Sequence, residues 1–180
     1  MQILETTRLV LHPFTDEDCE FILELLNEEA FLRYVGDKGV RTLEDARTYI
    51  QRGPQASYNE QGFGLYRVDL KETGEPIGMC GLLQRDTLEY PDMGFALLER
   101  FWGNGYASES ASAVLKFGRN ELALDRIDAI TSPDNHTSIG LLEKIGFQFK
   151  ELVVLTNGEP EVKLFSYEHT LGSNMTSRRA

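Results

Sequence analysis

Residues Asp92–Ala107 read DMGFALLERFWGNGYA, in which a strand pattern passes through a glycine-containing loop into a helix. The strand is predicted over Asp92–Leu97 and the loop over 98–105. The apolar face of the following helix is formed by Ala107, Ala111, Val114, Leu115, Gly118 and Leu122. Gly103 and Gly105 permit positive φ and let a ligand approach the backbone closely. This segment is therefore either a tight strand–helix connection or an anion site at a helix N-terminus.

Two known phosphate-binding motifs do not account for this loop. A P-loop needs Gly-Lys followed by Ser or Thr, and that triplet does not occur in the chain. The dinucleotide fingerprint G-x-G-x-x-G would need glycine at the position of Ser108. A Rossmann domain also usually begins with its nucleotide-binding unit, whereas this loop follows residue 97. A dinucleotide-binding module is therefore a disfavoured alternative.

Apolar periodicity and turn signals on both sides of the segment predict one sheet with helices around it. The predicted strands cover residues 8–12, 63–70, 77–84, 92–97, 126–131, 147–155 and 162–168. The predicted helices begin at residues 15, 42, 106 and 135, and Gly53-Pro54 is expected to stop the second of them. This order predicts a mixed α/β (α+β) fold with a sheet of about six to seven strands and about four helices. We expect a single domain over 1–170 and a frayed tail over 171–180.

The composition indicates a cytoplasmic protein that binds neither nucleic acid nor membranes. The 180 residues include 18 Lys or Arg and 29 Asp or Glu, and the net charge of −11 opposes binding to polyanions. No apolar run is long enough to span a bilayer, and Met1–Leu11 lacks the pattern of a secretory signal. Cys19 and Cys80 have no metal-ligand spacing and are expected to be reduced thiols. No cluster of ligand residues suggests a metal site.

The negative charge is concentrated in the first half of the chain. Residues 1–98 carry 9 basic and 18 acidic side chains, a sum of −9, whereas residues 99–150 carry 6 and 7, a sum of −1. The densest acidic run, 16–29, is either a solvated helix face or an acidic approach to a site for a cationic substrate. The nearly neutral section contains the glycine loop, whose backbone N–H groups can hold an anion without basic side chains.

Four motifs in this order resemble one known family. They are Thr7–Thr15 (TRLVLHPFT), Glu75–Gly78 (EPIG), Asp92–Ala107 and Asn135–Phe147 (NHTSIGLLEKIGF). Together they resemble the N-acetyltransferases of the GNAT superfamily, in the branch of the ribosomal-protein N-terminal acetyltransferases. The resemblance covers residues 7–167. It implies a GNAT-like mixed sheet and the transfer of an acetyl group from acetyl-CoA to a primary amine.

The resemblance also implies which residues bind acetyl-CoA. The family's pyrophosphate motif, Q/R-x-x-G-x-G/A, maps onto Trp102, Gly105 and Ala107, so that Trp102 replaces the basic or amide residue. The implied cofactor loop consists of Trp102, Gly103, Asn104, Gly105, Tyr106 and Ala107. The pantetheine arm is expected to pair with the backbone of Phe95, Ala96 and Leu97, on a strand splayed from the next one.

Asn135, Trp102 and Tyr106 each have a second interpretation. Asn135 is a contact of the cofactor or reaction centre, a helix cap, or both. Trp102 and Tyr106 either pack the helix on the sheet or line the site. Arg100 lies close to the loop in sequence and could supply a charge, although it does not match the motif.

The implied chemistry needs a neutral amine and therefore a base or a proton-relaying water. Asp92, which matches a carboxylate that the family often has, is either that base or a solvated strand end; Glu89 and Tyr90 lie just before it. His136 is expected to be an exposed helix histidine. A backbone N–H near Phe95 is expected to stabilise the oxyanion. The tyrosine with which many relatives protonate the departing thiolate corresponds to Leu142, and Ser138 is the nearest substitute.

These implications predict an acyl-CoA-dependent N-acetyltransferase. Direct transfer in a ternary complex is favoured because neither cysteine lies in a nucleophile motif. The acceptor is a protein N-terminus or a small-molecule amine, and the acidic first half favours a cationic one. The acceptor pocket is expected to include Phe31, Tyr34 and Phe63. A non-catalytic acyl-CoA-binding sensor on the same fold is the first alternative, because of Leu142. The chain is expected to be a monomer or a homodimer.

Overall fold

The computed structural model describes residues 4–168, which form one eight-stranded sheet with helices on both faces. The strands are β1 (Leu4–Glu5), β2 (Leu9–Pro13), β3 (Leu65–Leu70), β4 (Pro76–Leu83), β5 (Asp92–Leu97), β6 (Arg126–Thr131), β7 (Gln148–Val153) and β8 (Val162–Glu168). The helices are α1 (Cys19–Leu26), α2 (Glu29–Tyr34), α3 (Leu43–Ile50), α4 (Ala56–Gln61), α5 (Tyr106–Asn120) and α6 (His136–Lys144). The predicted mixed fold class is confirmed, and the predicted tail, 171–180, lies outside the described residues.

The sheet has one strand more than the upper predicted number. Its order is β1-β2-β3-β4-β5-β6-β8-β7, and all neighbouring strands are antiparallel except β5 and β6. The additional strand is β1, which contains only two residues paired with β2. A two-residue strand is too short to produce an alternating pattern, so the sequence contains no signal for it.

The helices around the first half of the sheet differ from the prediction in two ways. α1 ends at Leu26 and α2 starts separately at Glu29, because Glu28 is extended with ψ 144°. The predicted stop at Gly53-Pro54 is wrong: a π-helical turn over Gln51–Gln55 joins α3 to α4, and Pro54 lies inside it. The wider turn accommodates a residue that lacks an N–H. With α3 and α4 joined as one helix, the described residues contain five helices where about four were expected.

The core lies on both faces of the sheet. On one face α5 packs over the central strands and contributes Ala111, Val114 and Leu115. On the other face α1 and α3 pack against each other in a second cluster with Phe14 and Leu98. Successive residues of β4 alternate between the two clusters, as Cys80 and Met79 show. None of the helices within residues 4–168 is both long enough and apolar enough to cross a membrane.

The feature that positions the site is the separation of β5 from β6. These parallel strands pair only at Asp92 with Asp128 and at Met93 with Ala129. Beyond Met93, β5 keeps its pairing with β4 but has no partner on its other side within the described residues. The prediction that this strand is splayed from its neighbour is therefore confirmed, and the gap leaves backbone groups of β5 free for a ligand.

The start of α3 provides a test of the fold. Thr42 is extended and accepts a hydrogen bond from the Asp45 N–H at 3.1 Å, while the Asp45 carboxylate accepts from the Thr42 N–H at 2.9 Å. We expect Thr42→Ala to lower the free energy of unfolding by about 1 kcal/mol, because the Asp45 N–H loses its side-chain acceptor while the N–H of residue 42 keeps the Asp45 carboxylate. Denaturant unfolding measures this loss. Thr48→Ala, inside the same helix, should change stability by less than half as much, and an equal loss in both variants would contradict the role of the cap.

Candidate active site

A cavity of about 1330 Å³ occupies the gap between β5 and β6. Its walls are formed by the end of β4, the whole of β5, the loop before α5, the start of α6, helix α2, the α3–α4 helix and the β7–β8 loop. This volume exceeds the roughly 300–1,000 Å³ of an ordinary small-molecule pocket. It suits a large cofactor together with a second substrate.

The glycine loop lies at one end of this cavity. Gly103 and Gly105 have φ of +76° and +79°, in the left-handed region that glycine adopts without strain. Gly105 is also the N-cap of α5, and no side chain caps the helix. The first N–H groups of α5 therefore lack a side-chain acceptor, and the positive end of the helix dipole points into the loop. An anion can bind there through the backbone.

The loop is held by contacts that sequence reasoning missed. Arg8 lies directly before β2 and donates from Nη1 to the Asn104 carbonyl at 3.0 Å. Its Nε pairs with Glu109 at 2.7 Å, and its guanidinium lies 4.5 Å from the Tyr106 ring centre. The Asn104 amide donates to the carbonyls of Phe101 and Trp102, both at 3.1 Å. The hydrogen bonds of Arg8 join positions that are 96 or more residues apart, so no local pattern could have revealed them.

The loop residues do not all face the cavity. Trp102, Gly103, Gly105, Tyr106 and Ala107 line it, whereas Asn104 does not. Trp102 is 46% exposed, so the alternative of a core tryptophan is wrong. Its indole N–H donates to the Leu97 carbonyl at 2.9 Å, which joins the loop to the end of β5.

The charge expected from Arg100 is directed elsewhere. Its guanidinium pairs with Glu24 at 2.5 Å and lies 3.8 Å from Glu75. Arg100 does not line the cavity. It thus provides no charge at the loop in this structure.

Strand β5, beside the gap, is partly accessible from the cavity, as binding of a ligand along it requires. Phe95 and Ala96 are half-buried and Leu97 is buried, and all three line the cavity. Because the Leu97 carbonyl accepts from Trp102, it is already satisfied, and the free backbone groups must come from earlier residues of the strand.

Asn135 and Ser138 lie together at the opposite wall. The Asn135 side-chain oxygen accepts from the Ser138 N–H at 3.1 Å, so Asn135 is the N-cap of α6. Both residues line the cavity, which leaves the Asn135 amide nitrogen available to a ligand. Leu142 follows one turn after Ser138 and is fully buried. Helix α6 therefore presents the Ser138 hydroxyl to the cavity, while Leu142, which stands at the position of the relatives' tyrosine, is buried.

Asp92 lies at the point where β5 and β6 begin to separate. It lines the cavity and is 0% exposed, so its interpretation as a solvated strand end is wrong. Arg85 donates from Nε to both carboxylate oxygens, at 2.9 and 3.0 Å. Burial raises the pKa of Asp92 above its ordinary value of 3.8, and the attraction of Arg85 only partly offsets this.

A second buried carboxylate lies directly behind Asp92. Asp128 is its partner on β6, accepts from Arg126 Nε at 2.7 Å and from the Ser166 hydroxyl at 2.6 Å, and does not line the cavity. The charge of Asp128 contributes to the raised pKa of Asp92. Asp92 is therefore the carboxyl group of this pair that a substrate in the cavity could reach.

Other sequence candidates lie away from the cavity. Glu89, Tyr90 and His136 are absent from its lining, and His136 is exposed as expected. Phe31 and Tyr34 line the cavity, so both can contribute to an acceptor pocket. Phe63 does not, because it packs in the core cluster beneath α5. The structure therefore does not support its place in the acceptor pocket, because the link between α4 and β3 brings its ring into the core cluster.

The charge of the first half of the sequence is not the charge of the cavity. No residue of the acidic run 16–29 lines it. From residues 1–98 the lining includes Arg33, Lys38, Arg52 and Arg85 but only Glu60 and Asp92 as acidic residues. The expectation of an acidic acceptor half therefore finds no support in the lining. Within residues 4–168 no cluster of side chains is suited to bind a metal ion.

Comparisons with known proteins agree with this geometry. The family described as "Acetyltransferase (GNAT) domain" matches residues 8–148. The uncharacterized N-acetyltransferase YoaA of Bacillus subtilis (strain 168) is 34% identical over 163 residues, 88% of this chain and 91% of YoaA. The crystal structure of an acetyltransferase from Agrobacterium tumefaciens str. C58 is 26% identical, covers 94% of this chain and 95% of that one, and has a TM-score of 0.79.

A further structure shares the fold at lower identity. The RimL ribosomal L7/L12 α-N-protein acetyltransferase in complex with coenzyme A is 18% identical, with a TM-score of 0.79 over 93% of this chain and 98% of that one. The fold and these relatives define the protein as an acetyltransferase. The chain belongs to the GNAT family, and its class is that of the acyl-CoA-dependent N-acetyltransferases. The dinucleotide-binding alternative is thereby wrong.

Proposed function

We propose that this enzyme moves an acetyl group from acetyl-CoA to a primary amine by direct transfer, with both substrates bound in the cavity between β5 and β6. The observation that carries the proposal is the combination of an uncapped helix N-terminus with a splayed strand along one cavity. A helix N-terminus can bind phosphate, and a strand with unpaired backbone groups can bind an extended arm that contains amides. Acetyl-CoA carries both groups.

The loop would hold the pyrophosphate through its backbone. Gly103, Gly105, Tyr106 and Ala107 line the cavity at the start of α5, where N–H groups point to the ligand. Trp102 flanks this position. Asn104 would act indirectly, because its amide braces the loop from behind. We therefore do not propose Asn104 as a direct contact of the cofactor.

The pantetheine arm would lie along the unpaired side of β5. Phe95, Ala96 and Leu97 line the gap, and the thioester would then reach the narrow end near Asp92. A free backbone N–H near Phe95 would donate to the oxyanion that forms when the amine attacks. Asn135, on the opposite wall, would contact the cofactor with its amide nitrogen while its oxygen caps α6.

Asp92 would act as the general base. The amine enters as an ammonium ion and must lose a proton before its nitrogen can attack the thioester carbon. Asp92 is too deeply buried for direct exposure to bulk water, so one water molecule would carry the proton to it. The nitrogen of the tetrahedral intermediate gives its second proton to solvent and the carbon–sulfur bond breaks. The CoA thiolate takes a proton from solvent, either directly or through the Ser138 hydroxyl, which solvent then reprotonates.

A covalent acyl-enzyme is not part of this mechanism. Cys19 and Cys80 are both buried and lie outside the cavity lining. Burial raises the pKa of Cys80 to about 12, so it is a neutral thiol near pH 7. The acceptor is a protein N-terminus or a small-molecule amine, and the RimL structure supports the first of these by analogy.

Ligand binding provides the first test. We expect a saturating concentration of acetyl-CoA, about 100 times its Kd, to stabilise the protein by about 2.7 kcal/mol and to raise Tm by several degrees. NAD, which also contains a pyrophosphate, should produce no comparable shift because it has no pantetheine arm. Stabilisation by NAD and not by acetyl-CoA would overturn the assignment of the cavity. Release of CoA thiol with a panel of amines then distinguishes turnover from mere binding.

A further inference from the structure

Three side chains that line the cavity carry hydrogen-bond donors for which no acceptor lies within residues 4–168. They come from three separate segments: Lys38 from the loop between α2 and α3, Tyr49 from α3, and Arg85 from the segment after β4. Arg85 uses only Nε, on Asp92, so its two terminal nitrogens make no hydrogen bond within residues 4–168. Over the same residues, Lys38 forms no ion pair and the Tyr49 hydroxyl forms no hydrogen bond.

Arg85 acts electrostatically on both of the other two groups. Burial and the charge of Arg85 lower the pKa of Lys38, although the residue as a whole is exposed. Burial raises the pKa of Tyr49 to about 12, so its hydroxyl stays a donor. Two cations that repel each other beside a neutral donor form an arrangement that a bound anion would stabilise.

Acidic residues also border this part of the cavity. Glu60, Glu159 and Glu161 line it, all three are exposed, and Glu159 partly offsets the effect of burial on Lys38. They come from α4 and from the β7–β8 loop. An acceptor that carried only positive charge would meet these carboxylates but would also meet the charges of Lys38 and of Arg85, which lies beside Asp92. A molecule with both charges satisfies both sets of groups.

We infer that the acceptor of this enzyme is an amine that also carries a carboxylate, which Lys38, Tyr49 and the terminal nitrogens of Arg85 bind while the amine lies beside Asp92. The inference rests on the proposed transfer to an amine and specifies the chemical class of that amine. Arg85 donates to Asp92 with Nε and has its two terminal nitrogens left for the acceptor. Planar recognition of a carboxylate by a guanidinium uses such a pair of donors.

The test compares amines that differ only in the carboxylate. Glycine, β-alanine and 4-aminobutyrate are each measured against their carboxamides, with spermidine as a purely cationic amine, by release of CoA thiol. We expect kcat/KM for the best carboxylate to exceed that of its carboxamide by about tenfold or more. Carboxamides or spermidine that react as well as the carboxylates would overturn the inference, while any turnover at all supports the proposed acetyl transfer.

Variants identify the groups that read the carboxylate. Lys38→Met and Tyr49→Phe should raise KM for the carboxylate about tenfold and about threefold with little change in kcat, and should leave the carboxamides unaffected. Lys116→Met, an exposed lysine on α5 outside this cavity, is the matched control. A Lys38→Met variant that keeps the full preference would contradict the assignment.

A binding measurement makes the result independent of turnover. N-acetyl-4-aminobutyrate and its carboxamide are titrated into the wild-type protein and into Lys38→Met by calorimetry. We expect tighter binding of the carboxylate to the wild type and a loss of that difference in the variant. Equal affinities in the wild type would overturn the inference even for a protein that acetylated none of the amines.

Discussion

Gly105→Val is expected to weaken the binding of acetyl-CoA about 100-fold while leaving the protein folded. Gly105 has φ of +79°, and a β-branched residue there costs about 1–2 kcal/mol of strain. A Cβ at Gly105 would also lie 3.4 Å from Arg8 Nη2, so the valine would press on the side chain that holds the loop and displace the N–H groups that have to bind the pyrophosphate. Because charge-assisted hydrogen bonds contribute about 1.5–3 kcal/mol each, the loss of one or two predicts about 100-fold weaker binding.

The matched control separates strain from ligand binding. Gly74 has φ of +72° in the turn between β3 and β4, has open space around it, and lies outside the cavity lining. Gly74→Val should therefore lower Tm about as much as Gly105→Val but keep the affinity for acetyl-CoA, which calorimetry measures. If Gly105→Val retained an affinity within a few-fold of the wild type, the loop would not be the phosphate site.

Asp92→Asn is expected to lower kcat/KM about 100-fold near neutral pH, which is the usual contribution of a general base. In the wild type the rate should rise with pH as Asp92 loses its proton. Burial raises the pKa of Asp92, so this acidic limb should lie above the ordinary value of 3.8. The variant cannot ionise at this position and should lack the limb. An unchanged pH–rate profile would assign the base to another group.

Asp128→Asn is the control for this variant. Asp128 is buried beside Asp92 on the neighbouring strand but does not line the cavity. Its charge raises the pKa of Asp92, so its removal should lower that pKa and move the acidic limb to lower pH. The rate near neutral pH should stay close to that of the wild type. Asp92→Asn is therefore expected to remove the acidic limb of the pH–rate profile, whereas Asp128→Asn is expected to move it to lower pH.

The raised pKa of Asp92 also affects stability. The folded protein binds this proton more tightly than the unfolded chain does, so the contribution of Asp92 to stability falls as pH rises through the interval between the two pKa values. Asp92→Asn removes this dependence. The rest of the acidic denaturation profile should be unchanged, because it comes from other carboxylates.

The local parts of the fold could be predicted because their signals are local. The bounds of β5 and β6 agree with the sequence, and so does the glycine loop between β5 and α5, since strand alternation and glycine placement are properties of short segments. The α3–α4 helix was mispredicted because Gly53-Pro54 normally ends a helix. Only the neighbouring turns decide whether a π-helical turn can absorb the proline.

The site was predictable to a different extent on its two sides. The proposed cofactor side follows one continuous motif, so its residues could be selected from the sequence. The proposed acceptor side would be assembled from Lys38, Tyr49, Arg85 and Asp92, which belong to four separate segments. Regional charge was misleading for the same reason: the acidic residues between 16 and 29 face other surfaces, and the side chains that reach the cavity from residues 1–98 are mostly basic.

The separation of β5 from β6 divides the sheet into two subsheets that are joined by one short strand pair. The five strands from β1 to β5 and the three strands from β6 to β8 meet through only two pairs of residues. A ligand lying in the gap supplies the hydrogen bonds that a longer strand pair would have formed. Occupancy of the cavity should therefore restrict the relative motion of the two subsheets. For as long as it stays bound, the substrate bridges them as an additional strand would.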